Sequence, residues 1–351
     1  MKSSENTQVK TFLYWLLSFI YYFFDKLNKK MYQWKLFKTH KLTVPVISVG
    51  NLTLGGSGKT PFIIFLTKCL QEKKQRVAVV SRNYKAQCRE IAKIDLSQKP
   101  AKYFGDEPSL IHFHTQAVGY VGPKKFKTAK ELVRREKVDL ILVDDGFQHH
   151  ALFRDINILL LDVTQWQFPA QIFPSGYYRE NFKEIARASF ICWTRINLVS
   201  KVELQKMKEQ VAMLGYTGPQ FDFSYESKRF LDVSVNKIKP LSDLPKRVLL
   251  FCGLARPEIL LQSLKIQFEK LDLKIEIDTF FLSDHQIYDE NLLQKVINYQ
   301  VTHKFFLTTE KDFIKFKEIW PSQKSLAVLL LEVELLQKED EFYEAINHFL
   351  H

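Results

Sequence analysis

The sequence predicts an α/β protein: a mostly parallel, doubly wound sheet, a second, smaller α/β domain and an N-terminal interfacial helix. Three observations carry this. An apolar run, Val44–Val49, leads into a glycine-rich turn ending in Lys59-Thr60, and a helix-compatible segment follows. A second apolar run, Leu140–Val143, ends in the paired carboxylates Asp144 and Asp145, the pattern of a central parallel strand buried on both faces. Strand and helix patterns then alternate to the end of the chain.

The first element is Phe12–Phe24, an uncharged run rich in aromatics. As a helix it is about 20 Å long, short of the roughly 30 Å hydrocarbon core, so it is not expected to span. Tyr and Trp favour the headgroup boundary. Lys26, Lys29, Lys30, Lys35, Lys38 and Lys41 follow closely, which suits an anionic surface. A secretory signal would place small residues after the apolar run, where Phe23-Phe24-Asp25 stands. Two readings remain: an amphipathic helix packed on the protein's own core and an interfacial anchor on the cytosolic leaflet. The aromatics and lysines favour the anchor, and residues 1–41 are read as this helix and its basic linker.

The segment Thr53-Leu54-Gly55-Gly56-Ser57-Gly58-Lys59-Thr60 has the chemistry that a nucleoside triphosphate needs. Glycines let backbone N–H groups curl around phosphate oxygens, and the following helix N-terminus adds partial positive charge. The lysine reaches the β/γ-phosphates, and the threonine hydroxyl ligates Mg²⁺. The pattern G-x-x-x-x-G-K-[ST] wants glycine where Thr53 stands, so Gly50, Gly55 and Gly56 must supply the flexibility. Pro61 is tolerated, because a first-turn N–H has no intrahelical partner to lose. An acid at the end of the 140–143 strand lies beside such a loop and can hold Mg²⁺ directly or through water. Thr60, Asp144 and Asp145 are therefore the expected metal residues, with the choice between the two acids open.

Further strands are expected at Val77–Ser81, Ala117–Val121, Ile156–Leu161 and Ser189–Trp193, with helices at Phe62–Lys73, Lys125–Arg135 and Val202–Leu214. Around Gly215–Pro219 the texture changes, and an alternating segment, Phe221–Val235, follows. A second series has strands at Val248–Cys252, Ile275–Phe281, Lys304–Thr308 and Ala327–Leu331, and helices at Pro257–Leu271, Asp289–Tyr299 and Lys338–Leu350. The boundaries are read as a core at 42–215 and a smaller C-terminal α/β domain at 216–351.

Composition narrows the partners. The net charge of +12 asks for an acidic one. No arginine-rich tract or nucleic-acid motif favours nucleic acid, which leaves an anionic membrane surface or a phosphorylated substrate. Cys69, Cys88, Cys192 and Cys252 lack C-x-x-C spacing and fit reduced, buried thiols. His112, His114, His149 and His150 have no third spaced ligand, which argues against zinc. The guanine-reading Asn-Lys-x-Asp is absent, so ATP is the expected nucleotide.

Two resemblances bear on what the triphosphate is for. Gly55–Thr60 resembles the loop of bacterial partitioning and septum-site ATPases, which would make this a membrane-associated regulatory P-loop ATPase acting on a protein partner. Those proteins carry a lysine where Leu54 stands, and their membrane helix is C-terminal. The fuller match is to the tetraacyldisaccharide 4′-kinase family (LpxK) of lipid A biosynthesis, which the chain resembles over nearly its whole length. The pieces, in order, are Val49–Pro61, Ser81-Arg-Asn-Tyr84, Gly105-Asp-Glu-Pro108, Asp144-Asp-Gly-Phe-Gln-His149, Arg154-Asp155, Gly253-Leu-Ala-Arg-Pro257, Asp284-His285 and Thr309-Glu-Lys-Asp312. The resemblance implies a P-loop kinase that transfers the γ-phosphate of ATP to the 4′-hydroxyl of a tetra-acylated glucosamine disaccharide 1-phosphate, forming lipid IVA. It implies a peripheral enzyme on the cytosolic face of the bacterial inner membrane and no obligate protein partner.

It also implies Asp106 as the base that takes the hydroxyl proton, with His285 as its partner, and Arg179 and Glu180 as substrate contacts. A sugar hydroxyl needs such a base within hydrogen-bond reach. The chain departs from the family pattern at Asn83, which replaces a glycine and tolerates left-handed backbone. It departs again at Gly176-Tyr-Tyr-Arg-Glu-Asn181, where two prolines are missing, and at Gln286, which replaces a second histidine. No role for Thr309–Asp312 follows from the residues.

Overall fold

A computed structural model of the chain describes residues 2–97, 100–299 and 305–350, with side chains of the first helix described from Leu13 onward. Lys304, expected to begin a strand, and the side chains of Lys2, Lys10 and Phe12 lie outside the described residues. In chain order the elements are α1 (Lys2–Gln33), β1 (Val46–Asn51), α2 (Lys59–Glu72), β2 (Val77–Arg82), β3 (Ala92–Lys93), α3 (Pro100–Phe104), α4 (Asp106–Thr115), β4 (Val118–Gly122), α5 (Lys125–Arg135), β5 (Leu140–Asp144), β6 (Ile156–Asp162), β7 (Phe190–Thr194) and α6 (Lys201–Met213). The chain continues through β8 (Gln220–Asp232), β9 (Lys237–Pro240), β10 (Arg247–Cys252), α7 (Pro257–Lys270), β11 (Glu276–Phe281), α8 (Glu290–Asn298), β12 (Phe305–Thr309), α9 (Glu310–Phe316), β13 (Ser325–Leu335) and α10 (Glu339–Leu350).

The strands form one sheet in the order β11-β10-β12-β13-β8-β7-β6-β1-β5-β2-β4-β3, with β9 paired to β8. Pairings are parallel except β8 with β13, β8 with β9, and β3 with β4. Strand β1 lies between β5 and β6, so the phosphate-type loop at its end emerges from the middle of the sheet. Alternation along β1 sends Ile47 and Val49 into the core under α2 and Val46 into the core under α5. Helices on both faces leave β1 and β5 buried at every position.

The alternating segment after residue 220 is a long strand that pairs β7 on one side and β13 on the other. It carries the sheet without a break across residue 216. Helix α10 then returns to the first core, where Phe342 is fully buried against the rings of Phe62, Phe190, Phe221 and Phe223. Helices α4 and α9 fall where no helix was expected. Asp106-Glu107-Pro108 reads as a turn, yet two acids and a proline in a first turn also suit a helix N-terminus. Helix α9 is short, and its start is fixed by Thr309, whose side chain accepts from the Asp312 N–H.

Phe342→Ala should destabilise the whole protein by about 3–5 kcal/mol, the usual cost of emptying an aromatic core site. One cooperative thermal transition at a lower midpoint is the expected result, since α10 belongs to the core beneath the phosphate-type loop.

Candidate active site

Local geometry explains how the loop after β1 stays open. Gly55 and Gly58 adopt left-handed backbone, φ 89° and 78°, which glycine reaches without strain. Gly58 caps α2 and gives no side-chain cap to that helix start, which leaves its first-turn N–H groups placed to receive an anion. Thr53, standing where the strict pattern has glycine, is stapled: the Asn51 amide donates to its carbonyl (2.9 Å) and hydroxyl (3.0 Å), and its hydroxyl donates to Gln165 (2.9 Å). The 177–179 strip runs alongside, with Leu54 N donating to Tyr177 O and Arg179 N to Leu52 O, both at 2.7 Å. Tyr225, from β8, donates to the Gly58 carbonyl at 3.0 Å. Lys59 folds back on Asn51 Oδ1 (3.2 Å) and Asp145 (3.5 Å).

The two carboxylates at the end of β5 differ sharply. Asp145, in left-handed backbone, accepts both Arg179 Nη1 contacts (2.9 and 3.0 Å). Burial raises its pKa, but Lys59, Lys125 and Arg179 outweigh burial and hold it well below the usual carboxylate range. Asp144 is buried at the cavity wall, and its Oδ1 has no partner. Burial first, then Glu107 and Asp145, push its pKa up to about 6 against the pull of Lys125 and Lys59. Lys125, the first residue of α5, donates to the Asp145 carbonyl, and burial lowers its own pKa.

Across the cleft, Asp106 at the start of α4 meets His285, with Nδ1 3.0 Å from Oδ2. The two halves of the pair are 179 positions apart in sequence. Lys315 Nζ lies 3.3 Å from the same oxygen, and the Glu107 N–H donates to Oδ1. Burial raises the Asp106 pKa; the His285 hydrogen bond, Lys311 and Lys315 override it and hold the carboxyl far below its ordinary range. The Thr309–Asp312 segment now has a structural part. Buried Asp312 accepts from the Gly253 N–H (3.1 Å) and the Thr309 hydroxyl (2.8 Å). Lys311 pairs Glu107 (2.9 Å) and Glu310 pairs His114 (2.8 Å), clasping α9 to the helix that carries Asp106.

These groups line one cavity of about 1220 Å³. Residues Leu54–Thr60, Asp106, Asp144, Asp145, Arg179 and His285 all face it, along with Lys125, Arg195, Arg256 and Lys311. Thr53 sits just behind the loop. Glu180 is the correction: expected to touch substrate, it is turned away, only 1% exposed, and gripped by Arg187 (2.8 and 2.9 Å), Gln148 (2.8 Å) and Lys29 (2.5 Å). A buried carboxylate needs such partners, and here they dock the N-terminal helix. Sequence reasoning missed Lys125 and Tyr225, whose contacts are long-range and leave no pattern in the chain, whereas Asn51, Arg256 and Lys311 lie inside segments already singled out.

A strand–glycine loop–Lys-Thr–helix unit facing strand-end carboxylates, with a second carboxylate–histidine pair across a basic cleft, defines a P-loop phosphotransferase. Residues 10–351 match the family model described as LpxK, tetraacyldisaccharide-1-P 4′-kinase, and the chain belongs to that family. It is 32% identical over 342 residues to a tetraacyldisaccharide 4′-kinase of Bdellovibrio bacteriovorus, covering 95% of this chain and 98% of that one. Identity to the Halothermothrix orenii tetraacyldisaccharide 4′-kinase is 29%, covering 93% and 90%. The fold is similar to the crystal structure of Aquifex aeolicus LpxK in complex with ATP, with a TM-score of 0.73 at 26% identity over 95% of this chain and 98% of that one.

Gly58→Ala should weaken nucleotide binding. A Cβ there would lie 2.5 Å from the Tyr225 ring in a backbone conformation hostile to side chains, a strain of about 1–3 kcal/mol. Calorimetric titration with ATP and a thermal melt read both consequences.

Proposed function

We propose that this cleft transfers the γ-phosphate of ATP to the 4′-hydroxyl of a tetra-acylated glucosamine disaccharide 1-phosphate at a membrane surface. The observation that carries the reading is the Asp106–His285 pair, facing the same cavity as Lys59 and Thr60. The phosphate loop and the free N–H groups of α2 receive the triphosphate, and Lys59 leaves Asn51 and Asp145 for the β/γ-phosphates. Asp106 accepts the sugar hydroxyl proton as the new O–P bond forms and the bond from the γ-phosphorus to ADP breaks. His285 orients the carboxylate and shares the incoming proton. Arg179 and Lys125 set positive charge where phosphate oxygens arrive. The Asp106–His285 pair draws one residue from each of the stretches 42–215 and 216–351, and closing this cleft over substrate would expel water from the reacting groups.

Mg²⁺ fits the donors present. Asp144 has an unpartnered buried oxygen, whereas Asp145 is committed to Arg179 and Lys59, so Asp144 and the Thr60 hydroxyl are the residues to hold it. Bound with the nucleotide, Mg²⁺ supplies charge neutralisation at the β/γ-phosphate oxygens.

Among the described residues no helix is long and apolar enough to cross a membrane. Helix α1 docks through Ser18, Tyr21 and Lys29, which contact the 172–184 segment. Leu13, Leu16, Ile20, Phe23 and Leu27 recur at helical spacing on the opposite side and are all exposed. Docking by polar groups with the apolar stripe turned outward supports an interfacial helix on the cytosolic face of the bacterial inner membrane, where the acyl chains of the substrate stay in the bilayer.

The assay is γ-labelled ATP with the tetra-acyl disaccharide 1-phosphate in detergent micelles. Label on the lipid is expected; label appearing only as free phosphate, stimulated by a protein partner, would instead select a regulatory ATPase. In the same assay Asp106→Ala should lower kcat by about 10²–10⁴-fold with ATP affinity little changed. His285→Ala should match it, and the double variant should be little worse than either. Fully multiplicative losses would mean that the two residues work independently.

The raised Asp144 carboxyl gives a pH signature. Its proton favours the folded state, so stability from this group is lost as pH rises from the ordinary 3.8 to about 6. The same proton competes with a cation. Mg²⁺–ATP affinity should fall below pH 6, by up to about tenfold per pH unit, and Asp144→Asn should bind weakly without that dependence.

A further inference from the structure

We infer that the membrane-facing surface does not end with helix α1 but continues into a rigid basic-aromatic knuckle, residues 34–41, which forms a second contact with an anionic bilayer. This rests on the interfacial reading of α1 and adds a separate surface to it. Trp34 stands two helical turns after Leu27, so it prolongs the outward apolar stripe. Its N–H still donates to Lys30 O at 2.8 Å, and the Lys30 ammonium lies 5.5 Å from its ring centroid. Lys35 then takes left-handed backbone, φ 59°, and the chain folds back. The N–H groups of Leu36 (2.9 Å) and Phe37 (3.1 Å) both donate to Met31 O.

Two further bonds fix the knuckle to the body. The Thr39 hydroxyl donates to His150 O at 3.0 Å, and His40 N donates to Ala151 O at 2.9 Å. Trp34 is 60% exposed and Leu36 63%. Large apolar side chains held outward on a fixed backbone, rather than folded inward, mark a surface that meets something apolar. The surrounding exposed cations Lys35, Lys38 and Lys41 favour a bilayer with anionic headgroups over an apolar protein groove. Trp and Lys together are the chemistry of the headgroup boundary. With α1 alone the protein could roll about the helix axis. A second contact at the end of the helix, fixed to the body, holds the cleft at one height and angle over the headgroups.

The test uses the full chain and vesicles of phosphatidylethanolamine with an anionic fraction of phosphatidylglycerol, without substrate. Trp34→Ser/Leu36→Ser/Phe37→Ser should partition about tenfold more weakly than the wild type, with the same melting midpoint because these residues lie outside the core. Brominated lipid should quench a larger share of emission in the wild type than in Trp34→Phe, which isolates the signal of this one tryptophan. Leu16→Ser/Ile20→Ser/Phe23→Ser serves as the parallel variant for α1. If the knuckle variant partitions like the wild type and Trp34→Phe quenches alike, while the α1 variant is released, the knuckle is no membrane contact and the helix reading survives. If neither variant changes partitioning, both fall.

Discussion

Three cations, Lys59, Lys125 and Arg179, converge on Asp145 at the exit of β5, and the rest of the site is arranged around that cluster. Taking so much charge out of water is costly unless every group has a partner. Asp145 meets the need for all three at once, through its carboxylate to Lys59 and Arg179 and its carbonyl to Lys125. The arrangement keeps three positive groups lining the cleft. Cations held in place this way need little reorganisation to meet an anionic ligand. Asp144, a single residue earlier, is left as the one acid of the pair with an oxygen to spare.

From Arg179 the same logic runs outward. Its neighbour Glu180 is buried and takes Arg187, Gln148 and Lys29, and Gln148 in turn donates to Asn51 O, next to the phosphate loop. Helix α1 is therefore seated by the Lys29 ion pair, the Ser18 hydrogen bond and the Tyr21 ring against Phe173. That seating leaves the apolar side chains of Leu13, Leu16, Ile20, Phe23 and Leu27 exposed. A helix attached by its own apolar stripe would have nothing left with which to meet a bilayer.

The opposite wall of the cleft is held by a clasp between α4 and α9. Lys311 with Glu107, Glu310 with His114, and His285 and Lys315 with Asp106 all join groups remote in sequence. Such pairs add little net stability, because desolvation offsets much of the attraction. Their effect is geometric. They fix the start of α4, where the His285 hydrogen bond, Lys311 and Lys315 outweigh burial and hold the Asp106 carboxyl well below its ordinary range.

The sequence by itself determined the elements whose cause is local. The apolar run, glycines and Lys59-Thr60 dictate strand, open loop and helix; the apolar β5 with its terminal acids dictates a buried parallel strand. The family pattern placed Asp106 and His285 in one pair before any contact was known. Helices α4 and α9 were not legible, because their cues are shared with turns and their stability comes from each other. Glu180 was misassigned for the same reason: a carboxylate next to a cleft residue looks like a ligand until the fold shows three partners behind it. Only the tertiary structure could tell Asp144 from Asp145, since their difference lies in which distant cations reach each one. It also decided which side of α1 faces out. The chain supplies an apolar helix, but the placement of Ser18, Tyr21 and Lys29 against the 172–184 segment, more than a hundred residues away, orients it.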